Sequence, residues 1–481
     1  MDFEPRVLDP EPVDSLDEYQ RRGGGRGLEI ARKNGAAAVI DAVEASGLRG
    51  RGGAGFPTGV KWRTVLENRS EVVPATVVVN AAEGEPGTFK DRAILRRNPY
   101  RMLEGALIAA GAVGADGVIV GVKASFGREL ERINAALAEV KAAGWADGVD
   151  LFVVEGPSHY LYGEETALLE VVAGRNPFPR IAPPFRHGVD EMGEDNKSAA
   201  DQSMAGQGNS PAPPTLVNNV ETISNVPAIV AEGADWFRSV GTQKSPGTVV
   251  CTVTGRTRRH GVGEVALGTP LSEVIEIVGG GPVEGGRVVA VMSGVANPLV
   301  PASQLGTPVS YEGMDEIGSG LGSCGFIVFD ETTDLVAVAY GVSRFLAVES
   351  CGQCTPCKQD GLAISDLLDR MRRSEAAGDD LAALADRVST VADEARCYLA
   401  QQHQRVVDSV LRLFPDQVRA HADGRAAAVE PELIAPIVDI DGDLAVLDET
   451  QAGKQPDWTR DEEYSGQSPA DKVEQRDPEV L

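Results

Sequence analysis

Residues 349–358 read ESCGQCTPCK and hold Cys351, Cys354 and Cys357, each separated from the next by two residues. Thiolates at that spacing converge from one short loop and are the usual ligands of iron–sulfur clusters. A fourth sulfur must come from elsewhere. Cys397 is the candidate, at the start of CYLAQQHQRVVDSVLRLF. Between it and the loop, ISDLLDRM and LAALADRVSTVADEA read as two helices that can bring the chain back. A set of three plus one favours a [4Fe–4S] cluster. Structural zinc, usually held by paired CxxC motifs or by Cys with His, stays as the alternative. Disulfides are disfavoured in a reducing compartment, and idle core cysteines do not cluster this way. Cys251 and Cys324 stand alone in a strand-rich stretch and read as small buried hydrophobes. The five histidines, His159, His187, His260, His403 and His421, show no metal spacing.

A second constellation is GRGGAG at 50–55, where Gly50, Gly52 and Gly55 fit G-x-G-x-x-G. The dinucleotide fingerprint needs a strand before it and a helix after it. Here a helix precedes and a strand follows, so the ordinary Rossmann reading fails. A more general one survives. The five glycines of residues 50–61 let the backbone approach a phosphate or flavin closely, while Arg51 and Lys61 supply positive charge. A plain glycine turn is the alternative. Two acidic clusters, Glu83 with Glu85 and Glu164 with Glu165, each follow an expected strand. That is where open α/β sheets bind ligands, and carboxylates accept from ribose hydroxyls. Solvated loop charge or a helix N-terminus explains them equally well.

Several elements must position these groups. Apolar residues at helical spacing fill LEIARKNGAAAVIDAVEAS, and EVVPATVVVN (71–80) reads as a strand. A helix, strand and helix then occupy 101–145, and VDLFVVEG (149–156) is a further strand. This alternation implies a mostly parallel sheet covered by helices. LVNNVETISNVPAIVAEG (216–233) reads as a loop entering a helix, capped near Asn218 or Asn219. Short strands with one helix occupy about 245–330, and the chain is helical from 335 to about 415.

Composition bounds the function. The net charge of −27 argues against nucleic-acid binding, which needs basic patches. Residues 1–20 are acidic and Pro-rich, unlike a signal peptide, and are expected to be disordered. The same is expected of 421–481, where 16 acidic residues face 5 basic ones. The longest apolar run, 106–122, is broken by Asp116 and four glycines, so no membrane insertion is expected. The polar stretch 186–214 reads as a long loop or insertion. A cytoplasmic protein is the expectation, peripheral to the membrane at most through partners.

Five stretches in order, GLRGRGGAGFPTGVKW, NAAEGEPGTFKDR, YLYGEETALLE, PTLVNNVETISNVPAI and ESCGQCTPCK, resemble the NADH-binding flavoprotein subunit of respiratory complex I, the NADH-quinone oxidoreductase F-subunit family. Diaphorase subunits of NAD-linked hydrogenases and formate dehydrogenases are its relatives. The resemblance spans roughly residues 20–415 and implies an α/β fold with three parts. These are an FMN/NADH-binding domain (21–240), a ubiquitin-like β-grasp module (245–330) and a helical [4Fe–4S] domain (335–420). It implies hydride transfer from NADH to FMN, then single electrons to the cluster and on to a thioredoxin-like [2Fe–2S] subunit and further iron–sulfur subunits. No side chain then needs to act as acid, base or nucleophile.

By position, the resemblance puts Gly50, Arg51, Gly52, Gly53, Lys61, Asn80, Glu83, Tyr160, Gly163, Glu164, Asn218, Asn219 and Thr222 around the flavin. Phe56 and Phe185 match aromatic residues that sandwich adenine, and Glu85 and Glu165 match acids near the nicotinamide and its ribose. Cys351, Cys354, Cys357 and Cys397 match the cluster ligands. There are departures. Ala82 stands where the family usually has an acid, Thr64 where an aromatic is common, and Cys324 where glycine is common. The segment 186–214 is longer than usual and the sequence after Cys397 is atypical. They keep two other readings open: a diaphorase subunit of another soluble oxidoreductase, or a degenerate nucleotide-binding scaffold.

Overall fold

A computed structural model of the chain describes residues 4–69, 74–189, 213–458 and 463–476. The fold is mixed α/β and begins with four parallel strands in the order β3-β2-β1-β4. These are β1 (Ala75–Ala81), β2 (Ala115–Lys123), β3 (Asp150–Gly156) and β4 (Thr215–Asn219). Val77, Val78 and Val79 in β1 are all buried, as expected of a central parallel strand covered on both faces. The helix Pro99–Val113 crosses behind the sheet. Asn98 caps it by accepting from the Arg101 N–H, Pro99 opens it, and Gly114 ends it in the left-handed region. The sequence alone suggested a loop where β4 stands. Its five residues end in two asparagines and carry no alternation, so only pairing with β1 reveals the strand. Asn219 caps the following helix, Val220–Glu232.

Five strands form a second, mixed sheet: β5 (Thr248–Gly255), β6 (Gly261–Ala266), β7 (Val288–Ser293), β8 (Val300–Pro301) and β9 (Gly325–Asp330). Their order is β6-β5-β9-β7-β8, with β5 and β9 parallel and adjacent. The helix Leu271–Gly279 buries Leu271, Val274, Ile275 and Val278 in that sheet's core. Helices Leu335–Glu349, Thr355–Arg372, Asp380–Thr390 and Leu399–Leu413 follow, packed around a core they share with Ala290, Met292 and Phe329 of the second sheet. Among the described residues, no helix is long and apolar enough to cross a membrane.

The described residues 4–20 and 421–458 correct the expectation of disorder. Val7, Leu8, Val13, Leu16 and Tyr19 are buried. The Tyr19 hydroxyl donates to buried Glu104, which also accepts from the Gly25 and Leu28 N–H groups. At the other end, β10 (Ile437–Asp441) and β11 (Leu444–Leu447) form a hairpin, and Ile434, Ala435 and Ile437 enter the core. Composition misled because the acids are answered by distant arginines. Asp9 pairs with Arg101 and Asp439 with Arg96. The spaced apolar residues among them are enough to dock each segment. In the expected insertion, 190–212 lie outside the described residues. Cys251 and Cys324 are buried as expected but not alone. A hydrogen bond between them and burial together raise the Cys251 thiol. Cys324 has φ 59°, a left-handed conformation that glycine adopts more readily than cysteine.

Candidate functional site

β1 leads to β2 on one side, while β4 arrives on the other, so strand order reverses between them. Ligands of open parallel sheets bind beyond the carboxyl ends of such strands. Here a cleft of about 990 Å³ opens there. β1 contributes Asn80 and, just past its end, Ala82, Glu83 and Glu85; β4 contributes Asn218 and Asn219. The segment after β3 adds Tyr160, Gly163, Glu164 and Glu165. The loop between helices Ala36–Ser46 and Thr58–Asn68 supplies Gly50, Gly52, Gly53 and Phe56. Lys61 and Thr222 complete the expected residues found on the wall.

The glycine loop fits a ligand laid against its backbone. Gly53 has φ +124° and Gly55 φ +64°, and a Cβ on Gly55 would lie 2.3 Å from the Tyr311 ring. Gly53 also bridges Gly322 of the second sheet's loop. Two expected residues lie elsewhere. The Arg51 side chain, 2% exposed, turns away from the cleft. It donates to the Arg49, Pro246 and Thr248 carbonyls and the Tyr311 hydroxyl, beside Glu221. It therefore latches the loop to the second sheet and offers a ligand no charge; its N–H donates to Thr222 Oγ1. Phe185 packs against the main core, next to Pro184, whose carbonyl accepts from Thr215 N–H at the start of β4. It does not line the cleft with Phe56, which is 53% exposed at the mouth.

The carboxylates differ in what holds them. Glu83 accepts from the N–H groups of Asp91 and Arg92 at 3.3 Å, at the start of the helix Lys90–Arg97. Burial, reinforced by the Asp91 charge, pushes its pKa up to about 7. Glu85 accepts from the Tyr160 hydroxyl and from Val295 N–H at 2.7 Å, and burial lifts it to about 7. Glu164 caps the helix Glu165–Val172 through Thr166 and Ala167, and burial raises it. Glu165 pairs with Lys61, so that lysine is partly neutralised. Asparagine amides tie the walls together. Asn80 donates to the Gly163 carbonyl at 2.8 Å, and Asn218 accepts from the Trp62 indole at 2.8 Å. Ala82 is buried in the wall, whereas Thr64 bonds back to Val60 on its own helix and lies off the cleft.

Cys397 reaches the same cleft, beside Tyr398, Leu399 and Gln402. The other three cysteines lie in its neighbourhood. Burial raises Cys397, and the charges of Cys357 and Cys351 push it further. Cys357 rises to about 11 by burial, with Cys351 and Cys354 adding to it. Sulfurs that stay protonated by themselves suit a ligand whose positive iron displaces the protons. Among the described residues, no three Cys, His or carboxylate groups converge as a preformed metal site, the four cysteines included, so this arrangement by itself favours neither zinc nor a cluster. Sequence reasoning missed the loop 319–323 and Tyr311, which close the cleft from the second sheet. The loop's signal was present in GSGLGSCG, a second glycine-rich run, whereas nothing local marks Tyr311.

Comparisons with known proteins agree with this arrangement. A profile described as the Nuo51 FMN-binding domain matches residues 43–228. Another, described as the NADH-ubiquinone oxidoreductase-F iron-sulfur binding region, matches 337–421. The second of two NADH-quinone oxidoreductase F-subunits of Rhizobium meliloti is 34% identical over 437 residues, covering 88% of this chain and 99% of that protein. The NADH-quinone oxidoreductase F-subunit of Mycobacterium tuberculosis is 35% identical over 438 residues, covering 88% and 94%. Among solved structures, an NAD+-reducing [NiFe]-hydrogenase in the H2-reduced state superposes with TM-score 0.73 at 32% identity, over 87% of this chain and 66% of that one. The chain belongs to the NADH-quinone oxidoreductase F-subunit family.

Proposed function

We propose that this chain is the NADH-oxidising flavoprotein subunit of a larger electron-transfer assembly. FMN and NADH bind in the cleft, and a [4Fe–4S] cluster binds on Cys351, Cys354, Cys357 and Cys397. One observation carries the reading: a single cleft has the glycine loop on one wall and Cys397 on another. Bound FMN would supply the conversion between two-electron and one-electron chemistry. The chain's own residues position and shield. Gly50, Gly52 and Gly53 leave backbone for close approach, Asn80, Asn218 and Asn219 present amides, and Phe56 offers a ring at the mouth. Glu85, Tyr160 and Gln402 form a hydrogen-bonded polar row along the cleft wall that also carries Cys397. We read 245–330 as a ubiquitin-like β-grasp module, supported by the order β6-β5-β9-β7-β8 and the single covering helix. Residues 21–240 are the FMN/NADH domain and 335–420 the cluster domain in this reading, with both chain ends packed against them.

The partners in this reading are a thioredoxin-like [2Fe–2S] subunit and further iron–sulfur subunits, at the cytoplasmic face of a membrane. A diaphorase role in a hydrogenase-type assembly is the second reading, favoured by the structural likeness to the NAD+-reducing hydrogenase. The chain that co-purifies with the native protein decides between them. Reconstituted anaerobically with iron, sulfide and FMN, the protein should retain flavin and reduce ferricyanide with NADH. Cys397→Ser should keep the flavin and lose iron. Protein that takes up neither flavin nor iron and leaves NADH untouched overturns the proposal in favour of a scaffold.

A further inference from the structure

Glu349 lies two residues before Cys351 and is 2% exposed. One carboxylate oxygen accepts from the Tyr160 N–H at 3.0 Å. The other accepts from Lys454 Nζ at 2.6 Å and from the Gln451 amide at 3.1 Å. Lys454 is equally buried. Tyr160 in turn donates its hydroxyl to Glu85 in the cleft and accepts from Gln402 at 2.9 Å. A continuous chain of contacts therefore runs from the C-terminal segment, through the end of the helix Leu335–Glu349, to the cleft wall.

The same segment grips the cysteine loop. Ala470 N–H donates to the Cys351 carbonyl at 3.0 Å. Ser468 sits so close over Gly352 that a Cβ there would lie 2.1 Å from the serine Cβ. Lys358, next to Cys357, donates to the carbonyls of Ala347, Ser350 and Pro456 at 2.9, 2.8 and 2.5 Å. The Trp458 indole donates to the Val348 carbonyl at 3.1 Å, and its ring stacks on His159 at 4.2 Å. Cys351 and Cys357 are buried beneath these contacts, whereas Cys354 and Cys397 keep some exposure.

We propose that residues 449–458 and 463–472 form a strap that completes the redox site, with Lys454 as its positioning residue. The strap lies beyond the matched iron–sulfur region, which ends at residue 421. Without the lysine, buried Glu349 loses its ion-pair partner and keeps only the weaker attraction of His159, Lys123 and Lys358, and the structure relieves it by opening where the carboxylate is held. That releases the cysteine loop and Tyr160 together. The consequence for electron transfer rests on the function proposed above, but the loop's confinement does not.

The test therefore begins on the full-length apoprotein, without flavin, iron or NADH. Alkylation of each cysteine by iodoacetamide is followed by peptide mass spectrometry. Lys454→Met and Trp458→Ala should each label Cys351 about tenfold faster or more, as local opening becomes cheaper, with Cys251 and Cys324 still protected. Lys454→Arg should restore the slow rate. Unchanged Cys351 labelling in both disruptive variants overturns the proposal. So does a Lys454→Arg protein as reactive as Lys454→Met. Should Lys454→Met unfold, seen as labelling of Cys251 and Cys324, the Trp458→Ala rate decides by itself.

Discussion

Glu85 shows how one residue's surroundings become a measurable property. Its carboxyl lies half-buried in the cleft wall, and the Tyr160 hydroxyl and Val295 N–H only partly offset the loss of water there, which raises it to about 7. A carboxyl raised in the folded state binds its proton more tightly there than in the unfolded chain. Folding therefore gains from that proton at low pH, and the gain disappears as pH climbs from about 4.5 to 7. At the usual conversion the effect amounts to roughly 3 kcal/mol. Glu85→Gln keeps the Val295 N–H on its amide oxygen, donates from its amide nitrogen to the Tyr160 oxygen instead of accepting, and has no proton to lose. Wild-type stability, measured by urea unfolding of the apoprotein, should fall relative to Glu85→Gln between about pH 5 and pH 8. Parallel curves would mean that water reaches the carboxylate. Arg51 teaches the complementary lesson. The residue type suggested phosphate binding, but its guanidinium is spent on carbonyls of the second sheet.

At the scale of elements, two glycines predict opposite outcomes for the same substitution. Gly55 sits at φ +64° with the Tyr311 ring 2.3 Å from where a methyl would go. Gly55→Ala should distort the loop, lower FMN retention and cost about 1–3 kcal/mol in thermal unfolding. Gly111 lies inside the helix Pro99–Val113, with nothing within 4 Å of an added Cβ. Gly111→Ala should stabilise by about 0.5–1 kcal/mol without touching flavin content. Equal effects at both positions would contradict the loop geometry. The elements themselves were largely legible. The spacing of valines in VVVN and the helix–strand–helix alternation of 101–145 announce a parallel sheet, and β1, β2 and β3 lie where that alternation puts them. β4 was not legible, because TLVNN has neither period nor β-rich length and becomes a strand only beside β1.

Across the whole molecule, the two sheets are joined through a buried charge cluster. Glu221 in the helix Val220–Glu232 accepts from the Val250 N–H of β5 at 2.9 Å. It also holds Lys90 at 2.9 Å and stands 3.9 Å from Arg51. Burial opposes charge on Lys90, but the surrounding Asp91, Glu221 and Glu83 carboxylates outweigh it and keep the lysine protonated. Glu221→Gln leaves those two cations under-compensated and should cost about 3–5 kcal/mol in denaturant unfolding. Combining it with Arg51→Met should cost less than the sum of the single changes, because the second substitution removes a charge that the first left unanswered. Strict additivity would show that the pair does not couple the sheets.

Chemistry carried by residue type and short spacing was decided by the sequence alone. Three cysteines separated by two residues, a fourth beyond two helices, and glycines packed into GRGGAG name their ligands' requirements without reference to any distant residue. Whatever depends on a partner far along the chain was decided only by the tertiary structure. The acids of both termini read as solvated because charge by itself favours water. In the fold Asp9, Asp439 and Glu349 meet Arg101, Arg96 and Lys454. Those pairings draw their segments onto the body, since a paired charge can leave water where an unpaired one cannot. Lys454 lies 105 residues from Glu349. No local pattern encodes a contact at that separation, and only the folded chain brings the C-terminal strap onto the cysteine loop.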